Sequence, residues 1–215
     1  MSTCRRELLD RELNHFSPLM RGNVLDIGGR KNSRRGGFGA PLHQVNSWQY
    51  LNINPDTNPD YCCDASAIPC ENQSFETIVM TEVLEYLEKP ELVLKEIYRI
   101  LSSNGYALIS IPFLNPIHGD YQFDRQRWTS IKLEEMFRQV GFSTINIRPM
   151  GAFFSVLHDL IHVSSGYATS LSKKKYMRFI QKCLHLCTPI FLKLDQKANS
   201  TKYFVNTGYF IVLKK

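Results

Sequence analysis

The sequence has no apolar run of about 18 residues, the length that a bilayer-spanning helix needs. Nor do residues 1–12, which read M-S-T-C-R-R-E-L-L-D-R-E, hold an apolar stretch long enough for the core of a secretory signal. Both absences favour a protein that works in the cytoplasm. With 215 residues, of which 43% are hydrophobic, the chain can bury one sizeable core.

The six cysteines lack the regular spacing of a disulfide framework, and no C-x-x-C pair occurs among them. Reduced thiols are therefore expected. The string Cys183-x-His185-x-Cys187 has ligand-type residues, but a spacing of two places successive side chains on different faces of a helix. No second pair of ligands is nearby, so we expect no metal site.

Acidic residues are scarce in the last part of the chain. From Ser170 onward there are ten lysines and arginines against one acid, Asp195. Since the whole chain carries +6, the first 169 residues carry about −3 and the C-terminal segment alone makes the protein basic. Such a segment can contact an anionic membrane surface from the cytoplasmic side, bind nucleic acid phosphates, or form a solvated lysine face. Nucleic acid is the less favoured partner, because Trp48 and Trp128 are not interleaved with the basic run.

Apolar runs and helical periodicities alternate along the first 150 residues. Runs that end in glycine or polar residues predict strands at residues 23–27, 48–54, 74–81, 107–112 and 142–148. Helical spacing predicts helices at residues 5–15, 91–101 and 131–140, the first of them stopped by Pro18. This order predicts an α/β fold, a Rossmann-like and mostly parallel sheet with helices on both faces.

The pattern changes after residue 150. Residues 151–195 predict two or three amphipathic helices with lysines on their polar faces, and residues 208–215 predict an antiparallel C-terminal edge strand. We therefore expect one domain over residues 1–215, with a core at about 20–150, a helical basic insertion at about 151–198, and a closing strand at 203–213. Ligands of such sheets bind beyond the carboxyl ends of the strands, here after Ile27, Ile53, Val79 and Ile111.

Four segments of the sequence resemble those of a known enzyme family. They are V-L-D-I-G-G at residues 24–29, C-D-A-S-A-I-P-C-E-N-Q-S-F-E-T-I-V-M at 63–80, E-V-L-E-Y-L-E-K-P at 82–90 and G-Y-A-L-I-S-I-P-F at 105–113. Over residues 23–148 the chain resembles class I S-adenosylmethionine-dependent methyltransferases, in particular a compact subgroup often found in sugar and cell-surface glycan biosynthesis. The resemblance implies S-adenosylmethionine as cofactor and, as acceptor, an oxygen of a sugar, of a lipid-linked glycan or of another small metabolite.

The first segment predicts a glycine turn that can hold the donor. Gly28 and Gly29 let a ligand approach the backbone because they carry no Cβ, although an ordinary tight turn would read the same way. The resemblance implies that Asp26 lies near the amino group of the methionine part. The family's pattern has further glycines where this chain has Arg30 and Asn32, so the shape of the loop is expected to differ.

Asn52 stands where the family usually has an acid that holds the ribose hydroxyls, and Asp56 is the alternative. An amide accepts one hydrogen bond and donates another, so we expect weaker donor binding than with a carboxylate. The resemblance further implies that Asp64 accepts from the adenine amino group and that the backbone of Ala65 addresses the ring edge. The alternative for Asp64 is a solvent-facing loop acid.

Two further segments follow the third and fourth strands. Glu82 is expected to line the donor pocket, while Glu85 and Tyr86 replace the family's usual Glu-His pair. That replacement makes a proton-transfer role at Tyr86 doubtful. After the fourth strand, residues 112–129 resemble an acceptor loop, in which His118 is the candidate base because its unperturbed pKa lies near neutrality. His118 can equally serve only to bond within its loop.

The same loop carries a weaker catalytic candidate, Asp124. An ion pair of Asp124 with Arg127 would hold the loop closed, and Trp128 would cover the pocket, although packing alone would explain both. A basic cluster lies near the ligand end of the predicted sheet and could hold a phosphorylated acceptor; it comprises Arg30, Lys31, Arg34 and Arg35.

Two other functions compete with the methyltransferase. A degenerate fold that binds the donor poorly would account for Arg30, Asn32, Asn52 and Tyr86. A nucleic-acid methyltransferase would account for the basic segment. The segment around Asp64 and Glu82 argues against a dinucleotide oxidoreductase, which has no need of it.

Overall fold

A computed structural model describes residues 3–31, 36–117, 122–172, 175–197 and 202–215, with side chains for these residues other than 167–178. Six strands form one sheet in the order β2-β1-β3-β4-β6-β5. The strands are β1 (Asn23–Ile27), β2 (Ser47–Leu51), β3 (Phe75–Thr81), β4 (Leu101–Pro112), β5 (Thr144–Met150) and β6 (Gly208–Lys214). The first four pair in parallel, and β6 is antiparallel to both of its neighbours. The predicted fold class is confirmed.

The predicted closing strand lies one position in from the edge. β6 pairs with β4 on one side and β5 on the other. Six of its seven residues are buried, whereas β5 exposes Thr144 and Asn146 and buries only Met150. A strand that is apolar on both faces needs cover on both sides, so β6 takes the inner place and β5 the edge.

β4 is longer than predicted. Residues 102–106, which lie between the predicted helix and the predicted strand, are part of β4, but Phe75 of β3 pairs with Leu101 and Thr77 pairs with Tyr106. The residues between form a bulge, in which Asn104 adopts a left-handed φ of 62°. The polar residues 102–104 are therefore accommodated inside the strand.

In the described part of the chain, five α-helices flank the sheet: α1 (Cys4–His15), α2 (Pro90–Ile100), α3 (Ser130–Val140), α4 (Phe153–Ser172) and α5 (Lys175–Lys197). Helices α2 and α3 share one core with the sheet face that carries Leu25 and Ile27. Helix α1 shares a second core, through Leu9 and Leu13, with the opposite face, because successive strand residues point to opposite sides. The described residues between β1 and β2 form turns and no helix.

Helices α4 and α5 form a hairpin that packs on α1, and two buried acids fasten it. Asp159 accepts hydrogen bonds from the backbone N–H groups of Cys4 and Arg5, both at 2.8 Å, at the start of α1. Asp195 does the same for Ala152, at 2.7 Å, at the start of α4. Carboxylates at helix N-termini satisfy N–H groups that have no partner within the helix. Within the described helices none is both long and apolar enough to cross a bilayer.

Candidate active site

A glycine turn follows β1 at the carboxyl edge of the sheet. Gly28 has a φ of 80°, and a Cβ built there would overlap the side chain of Val83, which follows β3. A Cβ on Gly29 would lie 2.5 Å from the Asp26 carboxylate and 2.7 Å from the Tyr50 ring. No side chain fits at either position, because neighbouring side chains occupy the space, and both glycines line a cavity beside the turn.

Asn52 fastens the segment after β2 to this turn. Its side-chain N–H donates to the carbonyl oxygen of Gly29 at 3.0 Å, and its side-chain oxygen accepts from the backbone N–H of Asn54, also at 3.0 Å. The alternative ribose-binding residue, Asp56, is exposed in the short turn Pro55–Thr57. Asn52 is therefore the one of the two that contacts the glycine turn.

Asp64 lies in the next segment along the chain. Tyr61 forms a parallel bridge with Leu51, and its carbonyl accepts from the Asn52 backbone N–H at 3.1 Å, so this segment begins beside Asn52. The exposed Asp64 carboxylate accepts from the backbone N–H of Ser66 at 2.7 Å, and its bonds to Ser66 lower its pKa. Asp64 thus remains ionised at neutral pH, and the following Ala65 is buried in the core.

Glu82, immediately after β3, is held in a rarely adopted conformation. Its φ is 55°, in the left-handed region that costs a non-glycine residue free energy. The carboxylate accepts two N–H groups of Arg5, one of them Nε–H at 2.9 Å, and the Ser110 hydroxyl at 2.7 Å. The backbone N–H of Glu82 donates to the Ser110 carbonyl. Helix α1 and strand β4 together fix this residue.

A second acid, Glu85, follows three residues after Glu82 and is fully buried. Burial and the charge of Glu82 raise the pKa of Glu85 to about 9, so its carboxyl group is neutral at pH 7. Burial and the charge of Glu85 also raise the pKa of Tyr86 to about 12. Neither group can serve as a base near neutrality.

The ion pair expected from the sequence forms in the loop after β4. Arg127 and Asp124 form two hydrogen bonds, one of them from Nη2 to Oδ2 at 2.8 Å. The Asp124 side chain is 1% exposed, and Trp128 beside it is buried. A carboxylate that is held by a guanidinium at both oxygens is a poor base, so the structure favours a structural role for Asp124. His118 lies outside the described residues.

A cavity of about 310 Å³ opens beside the glycine turn on the α1 side of the sheet. Of the predicted donor residues it brings together Asp26, Gly28 and Gly29, whereas its described lining does not include Asn52, Asp64, Ala65 or Glu82. Arg30 and Lys31 of the predicted basic cluster also line it. Lys31 donates to Asp60 at 2.5 Å. Asn32, Arg34 and Arg35 lie outside the described residues.

Arg5 is the site residue that sequence reasoning missed. The sequence predicted a helix at residues 5–15 but no site role for Arg5, which is 4% exposed and binds Glu82. A signal was present, because Arg5, Leu9 and Leu13 recur every four residues and so share the buried face of α1. A charged residue on a buried helix face needs a partner of opposite charge.

One cluster of potential metal ligands occurs among the described residues, away from the glycine turn. Cys4, His158 and Asp159 bring ligand atoms within 4.8 Å of one another. The Asp159 oxygens are already bound to backbone N–H groups. Burial and the charge of Asp159 raise the pKa of the Cys4 thiol, so no thiolate is available. Asp159 in this cluster caps a helix and the Cys4 thiol stays protonated, so the cluster does not fit a metal ion.

The residues at the carboxyl edge do fit the expected donor. The glycine turn offers backbone without side chains, Asp26 offers a carboxylate beside it, and Asp64 offers another on the adjoining segment. Carboxylates accept hydrogen bonds from amino groups and attract positive charge, both of which S-adenosylmethionine carries.

Sequence comparison assigns the family. A family model described as a methyltransferase domain matches residues 3–157. The chain belongs to this methyltransferase family. The assignment confirms the expected enzyme class, an S-adenosylmethionine-dependent methyltransferase. No curated protein sequence matches the chain. The matched residues end early in α4, so most of the hairpin lies outside the family's domain.

Solved methyltransferase structures share the fold at low sequence identity. A methyltransferase from Archaeoglobus fulgidus is 18% identical with a TM-score of 0.57, over 98% of this chain and 94% of its own. The Haemonchus contortus phosphoethanolamine N-methyltransferase 2, in complex with S-adenosylmethionine, is 17% identical with a TM-score of 0.55. That alignment covers 97% of this chain but 52% of the Haemonchus enzyme, so this chain spans about half its length.

The fold is also found outside methyl transfer. A [4+2]-cyclase is 14% identical with a TM-score of 0.57, over 96% of this chain and 79% of its own. Because one fold supports more than one reaction, these likenesses do not identify the acceptor of this methyltransferase.

Proposed function

We propose that this methyltransferase moves a methyl group from S-adenosylmethionine to an oxygen of a sugar or another small metabolite. The observation that carries the proposal is the glycine turn after β1. It has no room for a side chain, it contacts Val83 after β3, and Asn52 after β2 bonds to it. Three loops thus meet where donors bind in this fold.

Donor binding is assigned residue by residue. Asp26 would accept from the amino group of the methionine part, and Asn52 would address the ribose with the hydrogen-bonding capacity that Gly29 and Asn54 leave to it. Asp64, which stays ionised, would accept from the adenine amino group, with the Ala65 backbone at the ring edge.

Glu82 would line the donor pocket. Arg5 and Ser110 hold its carboxylate rigidly, so its orientation is set before any ligand arrives. The bound donor supplies a methyl group already activated on a sulfonium sulfur. The chain's residues then need mainly to align the acceptor with that group and to exclude water.

Methyl transfer to a hydroxyl also needs a base for the acceptor proton. Glu85 is neutral at pH 7 and Asp124 is bound by Arg127. His118 is the residue we propose for this role, since an imidazole titrates near neutrality. A cytoplasmic location stays part of this proposal.

Calorimetric titration with S-adenosylhomocysteine tests the donor site. We expect micromolar binding by the wild-type protein and weakening by about 1–3 kcal/mol on Asp64→Ala, the cost of leaving a buried polar partner unmet. Glu71→Ala, at an exposed acid seven residues further on, should bind as the wild type does. Absence of binding heat with the wild-type protein would refute donor binding. An equal loss of affinity in the Asp64→Ala and Glu71→Ala variants would place the adenine site elsewhere.

Turnover tests the acceptor. Release of S-adenosylhomocysteine should be stimulated by hydroxylated sugars or metabolites and not by amines. His118→Ala should abolish that stimulation while it leaves donor affinity unchanged. Full activity of this variant would remove the base role, and stimulation by amines alone would replace the oxygen acceptor by nitrogen.

A second function is favoured by one observation. Both ends of the Asn52 amide are bonded to backbone, a state in which it holds the loop without help from a ribose. A protein that keeps the fold but binds the donor poorly would look the same. Substitution of Asn52 by Asp separates the two, because a carboxylate that restores tight donor binding would identify a weakened donor site.

A further inference from the structure

The exposed face of α4 is apolar and its buried face is polar. Large hydrophobic side chains recur on the outer face at a spacing of three or four residues along the chain; these are Phe153, Leu157, Leu160 and Ile161. The inner face carries five buried polar residues, which are Ser155, His158, Asp159, His162 and Ser165. A helix that is surrounded by water on its outer side has the reverse arrangement.

Hydrogen bonds hold polar residues of the inner face in their buried positions. The His158 ring nitrogens lie 2.8 Å from an Asp159 oxygen and 3.0 Å from the Leu184 carbonyl of α5. The Asp159 carboxylate caps α1. Rotating α4 to bury its apolar face would break these bonds, each of which involves a buried polar group. The apolar residues are therefore held outward.

Helix α5 also exposes hydrophobic side chains, and lysines lie among them. Leu186, Ile190 and Leu194 recur every four residues on its outer face. Lys182 lies one turn before Leu186, and Lys193 lies one turn after Ile190, both exposed. Residues three or four apart share a helix face, so ammonium groups flank the apolar row. Long lysine stems allow their charges to reach headgroups while the apolar side chains enter a membrane interface.

The charged residues that the hairpin can present to a partner are all basic. Residues 151–202 contain eight lysines and arginines and two acids. The two acids, Asp159 and Asp195, are buried and serve as helix caps. No acid of this segment is left to face a partner, so the surface complements an anionic one.

From this inverted polarity and one-signed charge we propose that the α4–α5 hairpin docks, parallel to the surface, on a bilayer that contains anionic lipids. The hairpin follows β5 and precedes β6, so it is inserted at the same edge of the sheet as the glycine turn. Asp159 of the hairpin caps the backbone N–H of Arg5, whose guanidinium binds Glu82. If the proposed function holds, docking brings the site to acceptors carried by lipids.

Flotation of the full chain with vesicles tests the docking. Vesicles of phosphatidylcholine with about one third phosphatidylglycerol should carry the protein, whereas pure phosphatidylcholine vesicles should not. Raising the salt concentration should weaken binding, since screening acts on exposed charges. Lys182→Gln with Lys193→Gln should weaken it by about fivefold for each lysine.

The apolar contribution is tested with matched pairs of exposed residues. Leu160 and Leu186 are 45% and 75% exposed on the hairpin; Leu92 of α2 and Ile131 of α3 are 46% and 71% exposed elsewhere. Substituting the first two by Glu should weaken vesicle binding at least about tenfold. The same change at Leu92 and Ile131 should leave it unaltered.

Three results would overturn docking: no vesicle binding by the wild type, an equal loss in both double variants, or a dimer without lipid that only the hairpin variant dissolves. The last would make the face a self-association surface. Titration of every variant with S-adenosylhomocysteine keeps the two proposals apart. Normal donor binding without vesicle binding refutes docking alone, and vesicle binding without donor binding refutes the donor site alone.

Discussion

Removal of the Arg5 guanidinium should destabilise the whole protein and not only its site. Arg5 is 5% and Glu82 16% exposed at the side chain, so Arg5→Met leaves a nearly buried carboxylate without its cation. Breaking a buried pair from one side costs about 3–5 kcal/mol. We expect about 3 kcal/mol, the lower value, because the Ser110 hydroxyl still donates to Glu82.

The expected thermal shift follows from the size of the chain. For domains of 150–250 residues, 1 kcal/mol lowers Tm by about 2–4 °C, so Arg5→Met should lower it by about 6–12 °C. Differential scanning calorimetry and urea unfolding measure the two quantities. The matched control is Arg138→Met, which breaks an exposed pair with Glu134 and should cost below about 0.5 kcal/mol.

A double-mutant cycle tests the cause. Glu82→Gln removes the charge but keeps a side chain that can bond to Ser110, so combining it with Arg5→Met should recover part of the loss. The coupling should be about 1–3 kcal/mol. Additive effects, or an Arg5→Met cost no larger than that of Arg138→Met, would refute the assignment of Arg5 as the residue that holds Glu82.

Three further predictions concern the site. Gly29→Ala should abolish S-adenosylhomocysteine binding in calorimetry, because its Cβ would overlap Asp26 and Tyr50; Gly37→Ala, whose Cβ would make an ordinary contact with Asp10 at 3.5 Å, should bind normally. Asp64→Asn should weaken donor binding at pH 7 and equally at about pH 4, because bonds to Ser66 hold the pKa of Asp64 below its ordinary value and keep the native carboxylate ionised, as titrations at both pH values would show. Glu85 has a pKa raised to about 9 in the fold, so its neutral form stabilises the protein below about pH 4.5 and that contribution is lost as the pH rises to about 9. In urea unfolding, Glu85→Gln should therefore gain on the wild type across that window, and parallel stability curves would contradict the raised pKa.

Only part of the site could be predicted from the sequence. Gly28 and Gly29 were predicted to lie at a ligand turn; the structure places them in a turn after β1 without room for a Cβ, and their contact with a ligand stays a prediction. Asn52 was predicted as a ribose ligand, and that role stays a prediction; its bond to Gly29 was not foreseen. A side chain's type indicates which bonds it can form, but only the packed loops decide which partner it meets.

The order of strands and helices followed from local periodicity, since buried parallel strands are apolar throughout and helices on a sheet repeat at three and four residues. Cap residues set the helix ends for the same local reason: Thr129 precedes α3, and Gly141 ends it at a left-handed φ of 111°. Such features depend on neighbours in the chain, so the sequence by itself determined them. The inner position of β6, the outward apolar face of α4 and the pairing of Arg5 with Glu82, 77 residues away, depended on which surfaces met. A helix's periodicity shows that it has two faces, but only tertiary packing decides which one is buried.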